Sequence, residues 1–124
     1  MKNIILILLT FSLNAYSQNS RTILGKSYAE KELKLALSNE KQHNVVDNKS
    51  LIIKDSLTAI KVAEPILFSI YGKKNIESEK PYEIYLIDNY WVIAGTLPKN
   101  WRGGTFLIII DARNSKVLRI THGK

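Results

Sequence analysis

Apolar residues first recur along the chain at helical spacing, and this pattern predicts two helices. Residues 27–40 place alanines and leucines on one side, which predicts a first amphipathic helix. A longer apolar stripe begins after Asp55, a residue type favoured as N-cap, and stops at Gly72, whose backbone freedom favours a helix C-terminus. Pro65 lies inside this second stripe, which continues in phase beyond it, so we expect a bent helix there.

Beyond Gly72 the apolar pattern changes to a period of two, which is typical of β-strands. Asp88 and Asn89 form a pair that suits a tight hairpin turn between the first two strands. Strands in direct succession with short links predict an antiparallel meander. Because the helices come first and the sheet follows, the fold class is α+β, with N-terminal helices packed on a curved sheet. The four predicted strands lie within 81–87, 90–96, 105–111 and 116–121.

Both faces of this predicted sheet are apolar. In the second strand, Trp91 and Ile93 share one face, and Val92 and Ala94 share the other. A sheet with helices on only one side normally shows polar residues on its free side. We therefore expect the second face to be covered by the N-terminal helix, by the curvature of the sheet itself or by a partner.

The first residues have the order of a secretory signal. Lys2 supplies the basic start, residues 4–13 are almost entirely apolar, and Ala15 and Ser17 are small residues before a predicted cleavage after Ser17. The apolar run is about half the roughly 20 residues that a membrane-spanning helix needs. We expect a periplasmic or secreted protein without a stable membrane anchor after cleavage; an uncleaved anchor is the alternative.

The mature chain is expected to form a single domain. Removing residues 1–17 from the 124 leaves 107, which suffices for one modest core. We divide these residues into an N-terminal helix and linker, 18–50, and a main domain of one helix and four strands, 51–124. Because the sequence contains no cysteine, no disulfide can contribute to stability, even in an oxidising compartment.

The charge of the mature chain is basic but dispersed. Loss of Lys2 leaves 17 basic and 11 acidic residues, a net charge of +6, and most of the cations are lysines scattered between Lys26 and Lys124. A nucleic-acid reader more often clusters arginines on one face, so nucleic-acid binding is not expected. An acidic protein partner or an anionic envelope surface is compatible with this charge.

No arrangement of catalytic or metal-binding residues stands out. The two histidines are not at metal-ligand spacing, no strained serine elbow occurs, and Gly103-Gly104 lacks the spacing and the lysine of a phosphate loop. Asp111 is expected to serve a turn at a strand end, and Glu64 is expected to face solvent. We predict no cofactor, no metal and no enzymatic activity.

The segment between Trp91 and Ile110 carries the strongest indication of binding. Trp101 lies in a polar loop between Lys99 and Arg102, and an aromatic anchor beside an arginine is a common source of interface energy. The alternative is that its ring folds back over the sheet. The predicted partner-binding residues are Lys99, Trp101, Arg102, Gly103, Gly104, Trp91, Tyr82 and His122.

The last 66 residues resemble the small bacterial immunity proteins with a nuclear transport factor 2-like fold. The shared features are a helix with alanines and a glutamate ending in Tyr-Gly, then Pro-Tyr, then Trp-x-Val/Ile-x-Gly-Thr-Leu-Pro, then Gly-Gly before an apolar strand, and a last strand closing on His-Gly-Lys. The matching residues are Ala59, Ala63, Glu64, Tyr71, Gly72, Pro81, Tyr82, Trp91, Gly95, Thr96, Leu97, Pro98, Gly103, Gly104, His122, Gly123 and Lys124.

This resemblance implies a non-enzymatic protein that binds and neutralises a cognate toxin, with a curved sheet wrapped against helices in a short, cone-like form of the fold. With a signal sequence, the toxin would be met outside the cytoplasm, and the basic charge suggests an acidic toxin surface. A small-molecule binder or enzyme using the interior of the cone is one alternative, and a homodimer formed through the apolar face is another. The interior polar candidates for the former are Tyr82, Tyr85, Asp111 and His122.

Overall fold

The computed structural model describes residues 20–124, which form two compact units, 20–42 and 43–124. The predicted signal segment, 1–17, lies outside the described residues. The first unit contains helix α1, Gly25–Leu37, none of whose residues is buried. The predicted helix at 27–40 is confirmed, but it ends at Leu37 because the Ser38 backbone is extended and the Ser38 hydroxyl donates to the Leu35 carbonyl at 2.7 Å. Among residues 20–124, no helix has the length and apolar character to cross a membrane.

Helix α2, Ser56–Tyr71, has the ends that its sequence predicts. The Asp55 carboxylate accepts a hydrogen bond from the backbone N–H of Thr58 at 2.8 Å, which satisfies an otherwise unpaired donor of the first turn and lowers the pKa of Asp55. Gly72 ends the helix with φ of +89°, a conformation that side chains disfavour. Pro65 is accommodated inside the helix.

A short helix, α3, follows at Lys73–Glu77, where the sequence had predicted no further helix. Its first turn is closed by the Ile76 N–H donating to the Gly72 carbonyl at 3.2 Å. The Asn75 side chain donates to the Tyr71 carbonyl at 2.8 Å and so ties α3 to the end of α2. Only Ile76 is buried in α3, so the helix has no repeating apolar pattern from which it could be predicted.

The sheet is the predicted antiparallel meander, with the strands adjacent in chain order. Asp88 and Asn89 form the tight turn of the first hairpin, with positive φ values of 47° and 69° that suit the twist of the flanking strands. A register irregularity at Ile109/Ile110 interrupts the pairing of the last two strands. The strands are β1, Glu83–Ile87; β2, Tyr90–Ala94; β3, Phe106–Asp111; and β4, Val117–His122.

The hydrophobic core lies between α2, α3 and the inner face of the sheet. The small residues Ala59 and Ala63 allow α2 to approach the strands closely, and Leu67 fills the next position along the helix. Each fully buried large side chain contributes roughly 1.5–3 kcal/mol relative to exposure. The buried core residues are Ile53, Ala59, Ala63, Leu67, Ile76, Trp91, Ile93, Phe106, Ile108, Ile110 and Ala112.

The residues before α2 form an additional part of this core without forming a strand. The backbone N–H groups of Ile52 and Ile53 both donate to the Ala112 carbonyl, at 2.9 and 3.0 Å. The Trp91 indole N–H donates to the Ile53 carbonyl at 2.9 Å. The chain before α2 is therefore fastened to the turn that follows β3 and to the centre of β2.

Candidate functional site

One buried carboxylate, that of Glu79, organises the end of the sheet where the shared sequence motifs meet. Glu79 follows α3 and is only 4% exposed. Its Oε1 accepts a hydrogen bond from the Phe106 backbone N–H at 2.7 Å, and its Oε2 accepts one from His122 Nε2 at 3.0 Å. The Glu79 carbonyl in turn accepts from the Thr96 N–H at 2.8 Å. The Glu79 side chain thus links the start of β3 to the end of β4, and the Glu79 backbone carbonyl holds the segment that follows β2.

The surroundings of His122 favour its charged form. Nδ1 faces the Gly123 carbonyl oxygen at 2.7 Å, and Nε2 faces the Glu79 carboxylate, so both ring nitrogens meet acceptors and both need a proton. These two interactions, with the Gly123 carbonyl as the larger cause, raise the pKa of His122 above its ordinary value. The ring of Tyr71 lies 5.2 Å from the imidazole, centre to centre. The Glu79–His122 pair is therefore an ion pair at moderately acidic pH.

Two glycines of the shared motifs are explained by close approach. A Cβ on Gly95 would lie 2.6 Å from Glu79 Oε1 and 2.7 Å from Glu79 Cβ. A Cβ on Gly104 would overlap the backbone of Gly123, whose N–H donates to the Thr105 carbonyl at 3.0 Å. Gly95 therefore makes room for Glu79, and Gly104 allows the start of β3 to pack on the end of the chain.

A cleft of about 380 Å³ opens beside this pair. Asn75 and Ser78, from α3 and its end, form one side of the cleft. Leu97 and Gly104, which lie near the two ends of the loop between β2 and β3, form another. The residues lining the cleft are Tyr71, Asn75, Ser78, Glu79, Leu97, Gly104 and His122.

The loop that borders the cleft exposes the predicted binding residues. Trp101 is 70% exposed, so its ring does not fold back over the sheet. Lys99 and Arg102 beside it are exposed as well, as is Gly103. The Trp101 N–H donates to the Pro98 carbonyl at 2.9 Å, which closes the turn that presents the ring. We name residues 97–104 the Trp101 loop.

The charge around the Trp101 loop is one-sided. Residues 89–110 contain no aspartate or glutamate, whereas Lys99 and Arg102 are exposed within this stretch. The nearby carboxylate of Glu79 is buried and paired with His122. The surface that surrounds Trp101 therefore presents positive charge without a neighbouring negative residue in the same segment.

Tyr82 does not join this group but lies in a separate groove of about 650 Å³. Its hydroxyl donates to Glu64 Oε2 at 2.9 Å, and its ring packs edge-on against Phe106 at 5.1 Å. Burial, and then the Glu64 carboxylate, raise the pKa of Tyr82. The expectation that Glu64 faces solvent is wrong, because its carboxylate is largely covered and bonds Tyr82 and, at 3.6 Å, Lys80.

Two further expectations need correction. Trp91 is only 6% exposed and donates its indole N–H inside the core, so it lacks the exposed surface that a partner contact requires. Asp111 does more than serve a turn: its carboxylate accepts from the Arg113 backbone N–H and from the Arg113 guanidinium, each at 2.9 Å. This guanidinium lowers the pKa of Asp111.

The four residues considered for an interior small-molecule site do not converge. Tyr85 is an exposed residue of β1, and Asp111 is engaged with Arg113. Tyr82 and His122 line the two different clefts described above. The space between α2 and the sheet, where the alternative hypothesis placed such a site, is occupied by fully buried side chains such as Leu67 and Phe106.

The chemistry available at the cleft is that of a structural ion pair. Both Glu79 oxygens and both His122 nitrogens are engaged, and the hydroxyl of Ser78 donates to the Asn75 carbonyl at 2.6 Å instead of to the histidine. Among residues 20–124, no group of three or more potential metal ligands comes together.

Sequence reasoning placed Lys99, Trp101, Arg102 and Gly103 on one exposed loop, and it identified Gly104 and His122, which the structure brings together at the cleft. It missed Glu79. This glutamate stands in a polar stretch, Glu77 to Lys80, that has no apolar period, and nothing there signals burial. Asn75 and Ser78 were missed because α3 was missed.

The sequence of this chain matches one protein family and two individual proteins. Residues 58–124 match the NTF2 fold immunity protein family, which is more than half of the chain. The Escherichia coli K12 protein described as uncharacterized protein YhhH is 30% identical over 122 residues, covering 98% of this chain and 87% of that protein. The Escherichia coli K12 protein described as uncharacterized protein YbbC is 38% identical over 73 residues, covering 58% of this chain and 60% of that protein. No solved structure matches the chain significantly.

The matched region contains α2 from its third residue onward, α3 and all four strands, so it covers nearly all of the helix-and-sheet architecture. It also contains Glu79, His122 and the two closely packed glycines, Gly95 and Gly104. The sequence resemblance to this family is thereby confirmed, together with the α+β fold. The chain belongs to the NTF2 fold immunity protein family, and its role is that of an immunity protein.

Proposed function

We propose that this protein neutralises a cognate toxin by binding it, and that the Trp101 loop with the adjoining cleft is the surface that contacts the toxin. The observation that carries this proposal is the exposure of Trp101, a residue that is 70% accessible between the exposed cations Lys99 and Arg102. The apolar surface of an exposed indole is unfavourable in water, and burying it at an interface with the toxin would be favourable.

The placement of the second tryptophan supports this assignment. Trp91 is buried and its N–H is bonded, whereas no internal packing role holds the Trp101 ring at the surface. Tryptophan and arginine are enriched among the residues that dominate binding energy. The cleft beside the loop offers a concave site into which a protruding toxin segment can fit.

The toxin surface that this loop would contact is acidic in character. Lys99 and Arg102 lie in a segment without any carboxylate, so an acidic partner gains attraction and meets little opposing charge. Such complementarity raises the association rate and makes it sensitive to salt. Binding of this kind needs no reaction, which agrees with the engaged, structural nature of the Glu79–His122 pair.

The compartment of this activity is proposed to be the periplasm. The basic start, the short apolar run and the small residues Ala15 and Ser17 support export. An exported immunity protein would protect against a toxin that acts on the cell wall or membrane. Fractionation of cells that express the full chain with an epitope tag tests this: the tagged protein should be in the periplasm, and retention in the cytoplasm would contradict it.

The binding proposal is tested with the toxin candidates encoded beside the gene. Co-expression should restore growth, and the toxin should co-purify with the full chain. Trp101→Ala should weaken the complex by on the order of 2 kcal/mol, about thirtyfold in Kd. Tyr28→Ala is the matched control, because Tyr28 is an exposed aromatic residue of α1, at 46% exposure, outside the family region.

A folded Trp101→Ala variant that binds the toxin as tightly as the parent chain would assign the contact to another surface. Added salt provides an independent check, because an acidic partner should associate more slowly as ionic strength rises. If the association rate stays the same in high salt, the acidic character proposed for the toxin surface is wrong.

A further inference from the structure

The outer face of the sheet, which points away from α2, is apolar across its centre. The pairing register places Tyr85, Val92 and Ile109 side by side in one row across three strands. Tyr85 is 54% exposed, and Ile87, two residues along β1, is 53% exposed. We name the strand residues of this side the outer face: Glu83, Tyr85, Ile87, Tyr90, Val92, Ala94, Leu107, Ile109, Asp111, Arg119 and Thr121.

Most of the charge on the outer face is already neutralised or lies at its edges. Asp111 is paired with Arg113, and the Arg113 guanidinium also lies over the ring of Tyr90, 5.3 Å from its centre. The remaining charged side chains of the face are Glu83, on the edge strand β1, and Arg119, on the opposite edge strand β4. A contiguous apolar surface with a polar rim is typical of an interaction site.

The arrangement of these two charges indicates what covers the face. In a dimer with two-fold symmetry, the same patch on both copies must be complementary to itself. If the two-fold axis runs along the strands between two stacked sheets, β1 of one copy lies over β4 of the other. Arg119 of one copy then faces the row of Tyr85 and the neighbouring Glu83 of the second copy, and the reverse contact forms at the other edge.

We propose that the outer face is the interface of a homodimer, in which two copies stack their sheets over Val92 and Ile109 and pair Arg119 with Glu83 at both edges. The opposite charges at opposite edges match a second copy of this chain better than they match an acidic partner, which would gain from Arg119 and be repelled by Glu83. Sheets stack face to face at about 10 Å, within reach of an arginine and a tyrosine.

This interface is separate from the surface proposed for the toxin. The outer face consists of strand residues on the side away from the core, whereas the Trp101 loop and the cleft lie beyond the ends of β2 and β3. A dimer of this kind would carry two toxin-binding loops. The dimer proposal does not depend on whether the loop is the toxin site.

The test is the mass of the purified full chain in solution, measured by sedimentation over a wide concentration range. The parent chain should be a dimer that dissociates on dilution. Ile87→Lys should weaken self-association by about tenfold or more, because it buries a charge at the interface. Ile70→Lys is the matched control, since Ile70 in α2 is also 53% exposed but lies away from the outer face, and its dimer should be unchanged.

A charge exchange tests the arrangement with two exposed residues, so that folding is preserved. Arg119→Glu alone should weaken the dimer, because the new carboxylate would face Glu83 of the second copy and the two like charges would repel. Adding Glu83→Arg should restore opposite charges and with them the dimer. A monomeric parent chain at every concentration would overturn the proposal, as would equal effects of Ile87→Lys and Ile70→Lys. Loss of toxin binding in Ile87→Lys, with a monomeric parent, would assign the outer face to the toxin instead and also overturn it.

Discussion

Glu79 and His122 lie 3.0 Å apart, Oε2 to Nε2, and join the segment after α3 to the end of the last strand. The same carboxylate accepts the Phe106 N–H, and the same imidazole lies beside the Tyr71 ring. Four separate parts of the chain therefore depend on one partly buried ion pair. Removal of the carboxylate would leave His122 Nε2 and the Phe106 N–H without their acceptor.

Glu79→Ala is expected to lower the free energy of unfolding by about 2–3 kcal/mol, because the buried Phe106 N–H loses its acceptor and the partly exposed His122 imidazolium loses its counter-charge. Urea unfolding followed by circular dichroism measures this change. Glu77→Ala is the control: Glu77 is two residues away, is exposed, and its carboxylate lies a long 3.8 Å from the Lys73 ammonium. A surface pair of this kind contributes about 0.5 kcal/mol or less. Equal losses for both variants would show that Glu79 has no special structural role.

Stability should also fall as pH rises through the pKa of His122. The pKa is raised in the folded protein, so the contribution to stability is complete below the unfolded value of about 6.5 and is lost as pH passes the folded value. Above that pH the neutral imidazole carries a proton on only one of its two nitrogens. The other nitrogen then faces an oxygen without a proton between them.

Unfolding free energies measured at several pH values for the parent chain and for His122→Gln should therefore differ most in mildly acidic solution and converge as pH increases. NMR titration of the His122 ring reports the same group directly, and Glu79→Ala should shift that titration to lower pH. Identical pH dependence in the parent and in His122→Gln would mean that another group controls it.

The elements that the sequence predicted correctly are those with local signals. Asp55 and Gly72 mark the ends of α2, and the pair Asp88-Asn89 marks the first hairpin, because capping and left-handed turn conformations are decided by the residues themselves. Alternation of apolar residues in β2 and β3 was sufficient to assign the strands. The outer face was predicted as apolar from the same alternation.

The features that escaped prediction depend on contacts between distant positions. Glu79 meets Phe106 and His122 across 27 and 43 residues, and Trp91 meets the Ile53 carbonyl across 38 residues. No local period encodes such contacts. A glutamate in a polar stretch is more often exposed than buried, and a tryptophan among strand residues does not show by itself on which side it packs.

The close approach of Gly95 to Glu79 can be tested by a double-mutant cycle. Gly95→Ala places a methyl group 2.6 Å from the carboxylate, and overpacking of this kind costs about 1–3 kcal/mol. In the Glu79→Gly background both contacts, with Glu79 Oε1 at 2.6 Å and with Glu79 Cβ at 2.7 Å, are absent, so the same substitution should cost much less. Phe106 Cδ1, at 3.0 Å, remains as a smaller source of strain. Additive unfolding free energies would show that Glu79 does not explain the glycine.

Replacing each tryptophan by phenylalanine should change the free energy of unfolding by very different amounts. Trp91→Phe removes the indole N–H that the Ile53 carbonyl accepts and leaves a small void, at a cost of about 2–3 kcal/mol. Trp101→Phe changes an exposed side chain and should alter stability by less than about 0.5 kcal/mol.

Each variant retains one tryptophan, so fluorescence reports each site alone. The ring that remains in Trp101→Phe should emit at short wavelength and resist iodide quenching, and the ring that remains in Trp91→Phe should emit at long wavelength and be quenched readily. If Trp101 were protected from iodide in the isolated chain, its ring would be engaged already, and the toxin contact proposed for it would lose its basis.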